Sequence, residues 1–174
     1  VDLASDEGCA ALAARLVGLP LDLVIHNAGV LTEESLGALD ADAAARIRQQ
    51  FEVNALAPLR LTALLAPQLA KGAKLVLITS RMGSMADNTS GGYYGYRMSK
   101  AALNAAGRSL AIDLAPRGVA VAMLHPGFVQ TPMTGGRGDV DAVTAACNLL
   151  SRIDELTPAT SGSFLHANGS SLPW

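Results

Sequence analysis

The chain has 174 residues, 50% hydrophobic and 16% charged, with 17 glycines and 8 prolines. That composition excludes disorder, collagen and coiled coil, and the length suits one domain with a real core. A formal net charge of −2 leaves no basic footprint for nucleic acid. No apolar run reaches the ~18 residues of a membrane span, and the two cysteines, Cys9 and Cys147, make no disulfide framework and no metal-ligand pattern. They read as small buried or half-buried thiols of a reducing compartment, the cytoplasm.

In chain order, an Ala/Leu-rich stretch over about 6–18 predicts a helix, followed by the apolar run Leu21-Asp22-Leu23-Val24-Ile25. A long helical stretch covers about 42–70, with Asp40 or Asp42 as its N-cap, before the run Leu75-Val76-Leu77-Ile78. A third helix over 96–115 is stopped by Pro116-Arg117-Gly118 and leads into Val119–Leu124; a fourth over 139–153 precedes the weaker run Ser163-Phe164-Leu165-His166. The strand-like runs are short and nearly uninterrupted, as in strands covered on both faces. The alternation predicts an α/β fold, a parallel sheet with helices on both sides. Two turn-rich segments, Arg81–Gly92 and Pro126–Gly138, each follow a predicted strand. Ligands of open parallel sheets bind outside the carboxyl ends of the strands, so the site is expected after Ile25, Ile78 and Leu124.

Several residues at those ends carry chemistry. Tyr96 and Lys100 are i and i+4 and share a helix face. An ammonium lowers the pKa of a nearby phenol, and a phenol tuned toward neutrality can exchange a proton with a carbonyl or alcohol oxygen. Taken alone, the pair also fits an ordinary amphipathic helix. It stands with Ser80, a hydroxyl at a strand end, and with His26-Asn27-Ala28-Gly29, a turn that lets backbone approach a ligand. Asn54 is a polar residue in an apolar helix, with Pro58 four positions later. Proline cannot donate to the Asn54 carbonyl. This is either a tolerated kink around a satisfied asparagine or a distortion that turns the Asn54 backbone toward the site.

Together these segments resemble the short-chain dehydrogenase/reductase family. His26-Asn27-Ala28-Gly29 is similar to its N-N-A-G motif, Val53-Asn54 to its helical asparagine, and Ile78-Thr79-Ser80 to its serine strand. Tyr96-x-x-x-Lys100, with Ser99 before the lysine, resembles its catalytic pair, and His125-Pro126-Gly127-Phe128-Val129-Gln130-Thr131 its P-G-x-V-x-T segment. The stretches Thr79–Ser84 and Gly95–Asn104, with the ending Leu172-Pro173-Trp174, look like the C-factor and Sniffer-type carbonyl reductase branch.

The resemblance implies a Rossmann-like doubly wound sheet and an NAD- or NADP-dependent oxidoreductase acting on a small carbonyl or alcohol. It implies Tyr96 as general acid, Lys100 as the residue that lowers the Tyr96 pKa and holds the nicotinamide ribose, and Ser80 as hydrogen-bond partner of the substrate oxygen. Asn54 would hold a water in a proton relay. Asn27, Ala28 and Gly29 would line the cofactor, Pro126, Gly127, Val129 and Thr131 would flank its nicotinamide and diphosphate, and Asp2 and Leu3 would touch adenine. The 16 positions from Ser80 to Tyr96 exceed the family's usual spacing, so Ser84, 12 positions before Tyr96, is the alternative serine. His26 replaces the usual first asparagine and is expected to change local hydrogen bonding. No metal role is expected for His26, His125 or His166, which lie near different strand ends. C-factor is regarded as an intercellular signal, so a signalling or binding protein without turnover is the other functional class, and an inactive fragment with no function of its own is the third.

The family's T-G-x-x-x-G-x-G turn does not occur, and Gly135-Gly136-Arg137-Gly138 reads instead as a mobile substrate loop. The chain opens at Val1 without Met. These features lead to the expectation of an N-terminally truncated, single partial domain lacking roughly 60 residues, at ~30 per βαβ unit. Strand Leu21–Ile25 would then become an exposed edge, no helix N-terminus would bind the cofactor diphosphate, and saturable micromolar cofactor binding would be lost. The resemblance also implies a homodimer through helices 42–70 and 96–115, where Ala101, Ala102, Ala105 and Ala106 allow close approach. Phe128, Met133 and Tyr94 suggest a partly apolar substrate pocket with no anchoring charge.

Overall fold

A computed structural model describes residues 1–174. The order is α1 (Asp6–Ala14), β1 (Leu21–His26), α2 (Ala41–Phe51), α3 (Ala57–Leu65), β2 (Leu69–Ile78), α4 (Tyr94–Leu114), β3 (Ala120–His125), α5 (Ala142–Glu155) and β4 (Ser163–His166). The four strands pair in the order β1-β2-β3-β4, every pair parallel. This is the expected α/β, Rossmann-like sheet.

Alternation along β2 and β3 builds two cores. Leu75, Leu77, Val121 and Met123 face α4 with Leu103, Ala111 and Leu114, while Val76, Ile78, Ala122 and Leu124 face Ile153 and Leu156 at the end of α5. Side chains at successive strand positions point to opposite faces, so one apolar run serves both helical layers. β1 and β4 are the edge strands, and β1 is covered on one face only. Val24 packs inward, but Leu23 and Ile25 on its other face are about 40% exposed. Coverage on both faces therefore holds for β2 and β3 and fails for β1.

Helix starts follow local chemistry. Asp40, rather than Asp42, caps α2 by accepting from Ala43 N at 2.8 Å. Asp141 caps α5 by accepting from Val143 N and Thr144 N, both at 2.9 Å. The stretch expected as one helix over 42–70 is two α-helices joined by a π turn, Glu52–Leu56, that contains Asn54. Proline at position 58 breaks the regular i to i−4 ladder there, and the π turn absorbs the misfit. That stretch also ends earlier than expected, because β2 begins at Leu69. No helix is long and apolar enough to cross a membrane.

Candidate active site

The carboxyl ends of β1, β2 and β3 open into a cavity of about 830 Å³. Of the residues expected to form the site, it is lined by Asn27, Ala28 and Gly29 after β1, Ser80 after β2, Tyr96 and Lys100 on α4, and Pro126, Gly127, Val129 and Thr131 after β3. Asp2 and Leu3 are not among its walls. Asp2 Oδ1 accepts from Ala4 N at 2.9 Å, and Leu3 packs against the α1–α3 cluster.

Tyr96 and Lys100 stand on the buried face of α4, 8% and 4% exposed. Ser80 and Tyr96 line the same cavity, and the Ser80 hydroxyl lies near enough to the Tyr96 phenol to bear on its pKa. Burial holds that phenol above its ordinary pKa, with the nearby Ser80 hydroxyl pulling the other way. Burial disfavours the charged form of either group, so it raises a phenol and lowers an amine. Lys100 accordingly falls to about 8. Its Nζ donates to Ile78 O at 2.9 Å and lies 5.8 Å from the centre of the Tyr96 ring. The expected depression of the Tyr96 pKa by Lys100 is not found: burial raises the phenol, and the opposing pull comes from Ser80. The result is a phenol that stays protonated at neutral pH beside a second hydroxyl, a pair able to hydrogen-bond one oxygen and give it a proton.

Ser84 is buried away from the cavity wall, where its Oγ accepts from Asp87 N at 3.1 Å. Between the two serines, geometry favours Ser80.

Asn54 is fully buried and also off the wall. Its Oδ1 accepts from Val30 N at 2.8 Å, and its Nδ2 donates to Val30 O at 2.9 Å and Ser99 Oγ at 3.0 Å. Ser99 Oγ in turn donates to Tyr96 O at 2.9 Å. The side chain thus ties the loop after β1 to α4, and of the two readings of this position the satisfied asparagine describes its amide. A carbon added at Gly29 would sit 3.4 Å from Asn54 Oδ1 and 3.5 Å from Lys100 Nζ, so three elements converge on a wall kept bare of side chain.

His26 turns away from the cavity, with Nε2 2.8 Å from Thr62 Oγ1, and burial lowers its pKa to about 4. His125 does line the cavity, also near 4, through burial and then the charges of His166 and Arg81. The two rings meet edge to face at 5.0 Å. No group of three or more His, Cys, Asp or Glu is arranged to hold a metal ion.

Phe128 and Met133 line the pocket as expected, but Tyr94 does not. Gly135–Gly138 also stay off the wall; Gly136 N donates to Thr131 O and Gly138 O accepts from Gln130 Nε2, which folds the segment back on itself. The sequence reading missed Arg81, Asp87 and Arg97, all of which line the cavity. The available signal was adjacency, since the two arginines directly follow Ser80 and Tyr96.

The chain is 47% identical to the 1-hydroxy-2-glutathionyl-2-methyl-3-butene dehydrogenase of Rhodococcus sp. (strain AD45), over 100% of this chain and 78% of that protein. It is 45% identical to the C-signal protein of Myxococcus xanthus, over 94% of this chain and 99% of that one. Among solved structures, carbonyl reductase Sniffer of D. melanogaster superposes with a TM-score of 0.89 at 29% identity, covering 100% of this chain and 76% of that one. The NADPH-bound carbonyl reductase from chicken fatty liver gives 0.88 at 27%, covering 100% and 75%. A family model described as enoyl-(acyl carrier protein) reductase matches residues 1–160, and the chain belongs to the short-chain dehydrogenase/reductase family of oxidoreductases.

Proposed function

We propose that the chain moves hydride between a nicotinamide cofactor and a small carbonyl or alcohol substrate in the cytoplasm, with Tyr96 as general acid in reduction and general base in oxidation. The observation that carries this reading is the convergence of Ser80, Tyr96 and Lys100 on one cavity at the strand ends. In reduction, Ser80 and Tyr96 donate hydrogen bonds to the substrate oxygen and Tyr96 then gives up its proton. The Lys100 ammonium stabilises the phenolate left behind, an effect strengthened by its burial. Asn54 acts by position, holding the loop after β1 against α4 through Ser99.

The bare wall at Gly29 beside Lys100 fits a flat nicotinamide and its ribose, with Asn27, Ala28, Pro126, Gly127, Val129 and Thr131 as the other holding residues. When bound, that group supplies or accepts the hydride. The NADPH-bound relative makes NADPH the first reductant to test. The Rhodococcus relative, named for a hydroxylated glutathionyl butene, favours alcohols and carbonyls with a bulky substituent.

The chain is further proposed to pair with a second copy through α3 and α4. Met98, Ala105 and Ile112 recur at seven-residue spacing on one exposed face of α4, with Leu56 and Leu59 exposed nearby. Of the alanines expected there, Ala105 is exposed, while Ala101, Ala102 and Ala106 are half-buried. Light scattering on wild type and Ala105→Arg tests this: a dimer that the variant splits supports the pairing.

A second reading, a binding or signalling role without turnover, is favoured by the match along 99% of the protein named C-signal. One experiment separates the two. The folded chain is titrated with NADPH and NADH by nicotinamide fluorescence and assayed for aldehyde reduction. Saturable binding and turnover that Tyr96→Phe abolishes support the enzyme; a cooperatively folding chain with neither supports the second reading.

A further inference from the structure

The cavity holds more positive charge than proton transfer uses. Apart from His125 and Tyr96, its ionisable lining is Arg81, Arg97, Lys100 and Asp87, three cations against one carboxylate in a chain of net charge −2. Two of the cations are engaged. Lys100 donates to Ile78 O, and Arg97 is held by Gly91 O and Gly92 O through Nε and by Ser90 Oγ through Nη2.

Arg81 is different. Its Nε donates to Asp87 Oδ2 at 2.5 Å, and neither Nη1 nor Nη2 has a protein partner. Asp87 is itself fixed through its N–H to Ser84 Oγ, and its side chain is only 26% exposed. The Arg81 side chain is 60% exposed, held at its root by Asp87 with its terminal fork in contact with solvent at the cavity rim, and such a fork can bind a carboxylate through two parallel hydrogen bonds. Holding the root in advance reduces the side-chain entropy lost when a ligand binds. Arg81 directly follows Ser80, and Met82, Phe128 and Met133 line the same cavity.

We infer that Arg81 anchors a carboxylate of the substrate, so that the cavity selects carbonyl and alcohol compounds bearing an acid group a short distance from the reacting carbon. The word substrate here rests on the oxidoreductase reading; the anion site itself does not.

The test compares 4-carboxybenzaldehyde with its methyl ester, which share ring and aldehyde and differ in charge. With NADPH as reductant, the acid is expected to show a KM about 10-fold below that of the ester, and Arg81→Gln to raise the acid's KM about 10-fold while leaving the ester and both kcat values within about twofold. Arg81→Lys, which keeps the charge without the fork, recovers only part of the loss. Equal KM values in wild type, equal effects of Arg81→Gln on both compounds, or a parallel loss of NADPH affinity would overturn the proposal, the last by assigning the fork to a cofactor phosphate. Terephthalate binding followed by NMR line broadening reads the site without turnover. If neither aldehyde is reduced but terephthalate binds wild type and not Arg81→Gln, the oxidoreductase reading falls and the anion site stands. Terephthalate bound equally by both proteins, or by neither, removes the site.

Discussion

Glu34 Oε2 accepts a hydrogen bond from Gly95 N at 2.9 Å, across 61 positions of chain. This is the cap that α4 does not make for itself. Tyr93, just before the helix, sits in the left-handed region at φ 51° and contributes no side-chain cap. Glu34 is only 3% exposed; its other oxygen takes Gln50 Nε2 at 2.8 Å and Thr32 Oγ1 at 2.6 Å, and its carbonyl takes Tyr93 N at 3.0 Å. A side-chain carbon at Gly95 would meet Gln50 Nε2 at 2.3 Å, so the join is tight. The loop after β1 thereby sets the first turn of the helix that carries Tyr96 and Lys100.

Truncating that carboxylate leaves several buried donors unpaired, each worth about 1–3 kcal/mol. Glu34→Ala is therefore expected to lower unfolding free energy by about 2–4 kcal/mol in urea. Glu34→Gln keeps the shape and costs less, but substitutes a donor for one acceptor. Its expected signature is a reduced kcat for carbonyl reduction with KM nearly unchanged, because the shifted groups act on the transition state.

The proton-transfer assignment separates the hydroxyls. Tyr96→Phe removes the acid and is expected to lower kcat by about 10²–10⁴. Ser80→Ala removes one hydrogen-bond donor to the developing oxyanion and costs about 10²-fold. Ser84→Ala, off the cavity wall, leaves kcat within about twofold and acts only on the Asp87 loop. Steady-state reduction of one aldehyde by all three variants checks the order; a Ser84→Ala loss matching that of Ser80→Ala would reverse the assignment of the serine.

Much of this arrangement is legible in the residues alone, and the exceptions have physical reasons. β4 occupies the expected Ser163–His166, and the strand-end rule led to the cavity. The first half of β2 was hidden because Lys71-Gly72-Ala73-Lys74 breaks the apolar run. Lys74 is instead tied down by tertiary structure, its Nζ donating to Ile153 O at 2.6 Å and Asp154 O at 3.0 Å at the end of α5. Pro58 announced a distortion around Asn54, but the π turn depends on how the freed backbone repacks between loop and helix. Glu34 and Arg81 lie in loops without periodicity, where only the folded chain decides which element a charge meets.

The pH dependence of the reaction follows from two burial effects of opposite sign. Tyr96 lies above its ordinary pKa and stays protonated across neutral pH, so the acid is not limiting there. Lys100, lowered to about 8, is cationic below that pH and neutral above it. Carbonyl reduction is expected to be level at neutral pH and to fall as pH rises through about 8, when the charge that stabilises the Tyr96 phenolate is lost. A log(kcat/KM) profile checks this. A Lys100→Arg variant, which cannot lose its proton in this range, should remove the descent even if its overall rate is lower.

Stability should respond on the acid side. His26 is buried against Thr62 with its pKa lowered from 6.5 to about 4. Between those values the unfolded chain binds a proton that the folded chain refuses, so stability rises with pH across this window and is lost as pH falls through it. The full effect for His26 is about 3 kcal/mol at most, reached near pH 4. His125, lowered over the same window to about 4, adds a comparable share. Urea denaturation at neutral pH and at about pH 4.5 is expected to differ by a few kcal/mol. His26→Asn, which restores the family's first asparagine and removes the titrating ring, should make the descent shallower. An unchanged slope would mean that the acid sensitivity comes from His125 and the carboxylates rather than from the His26–Thr62 contact.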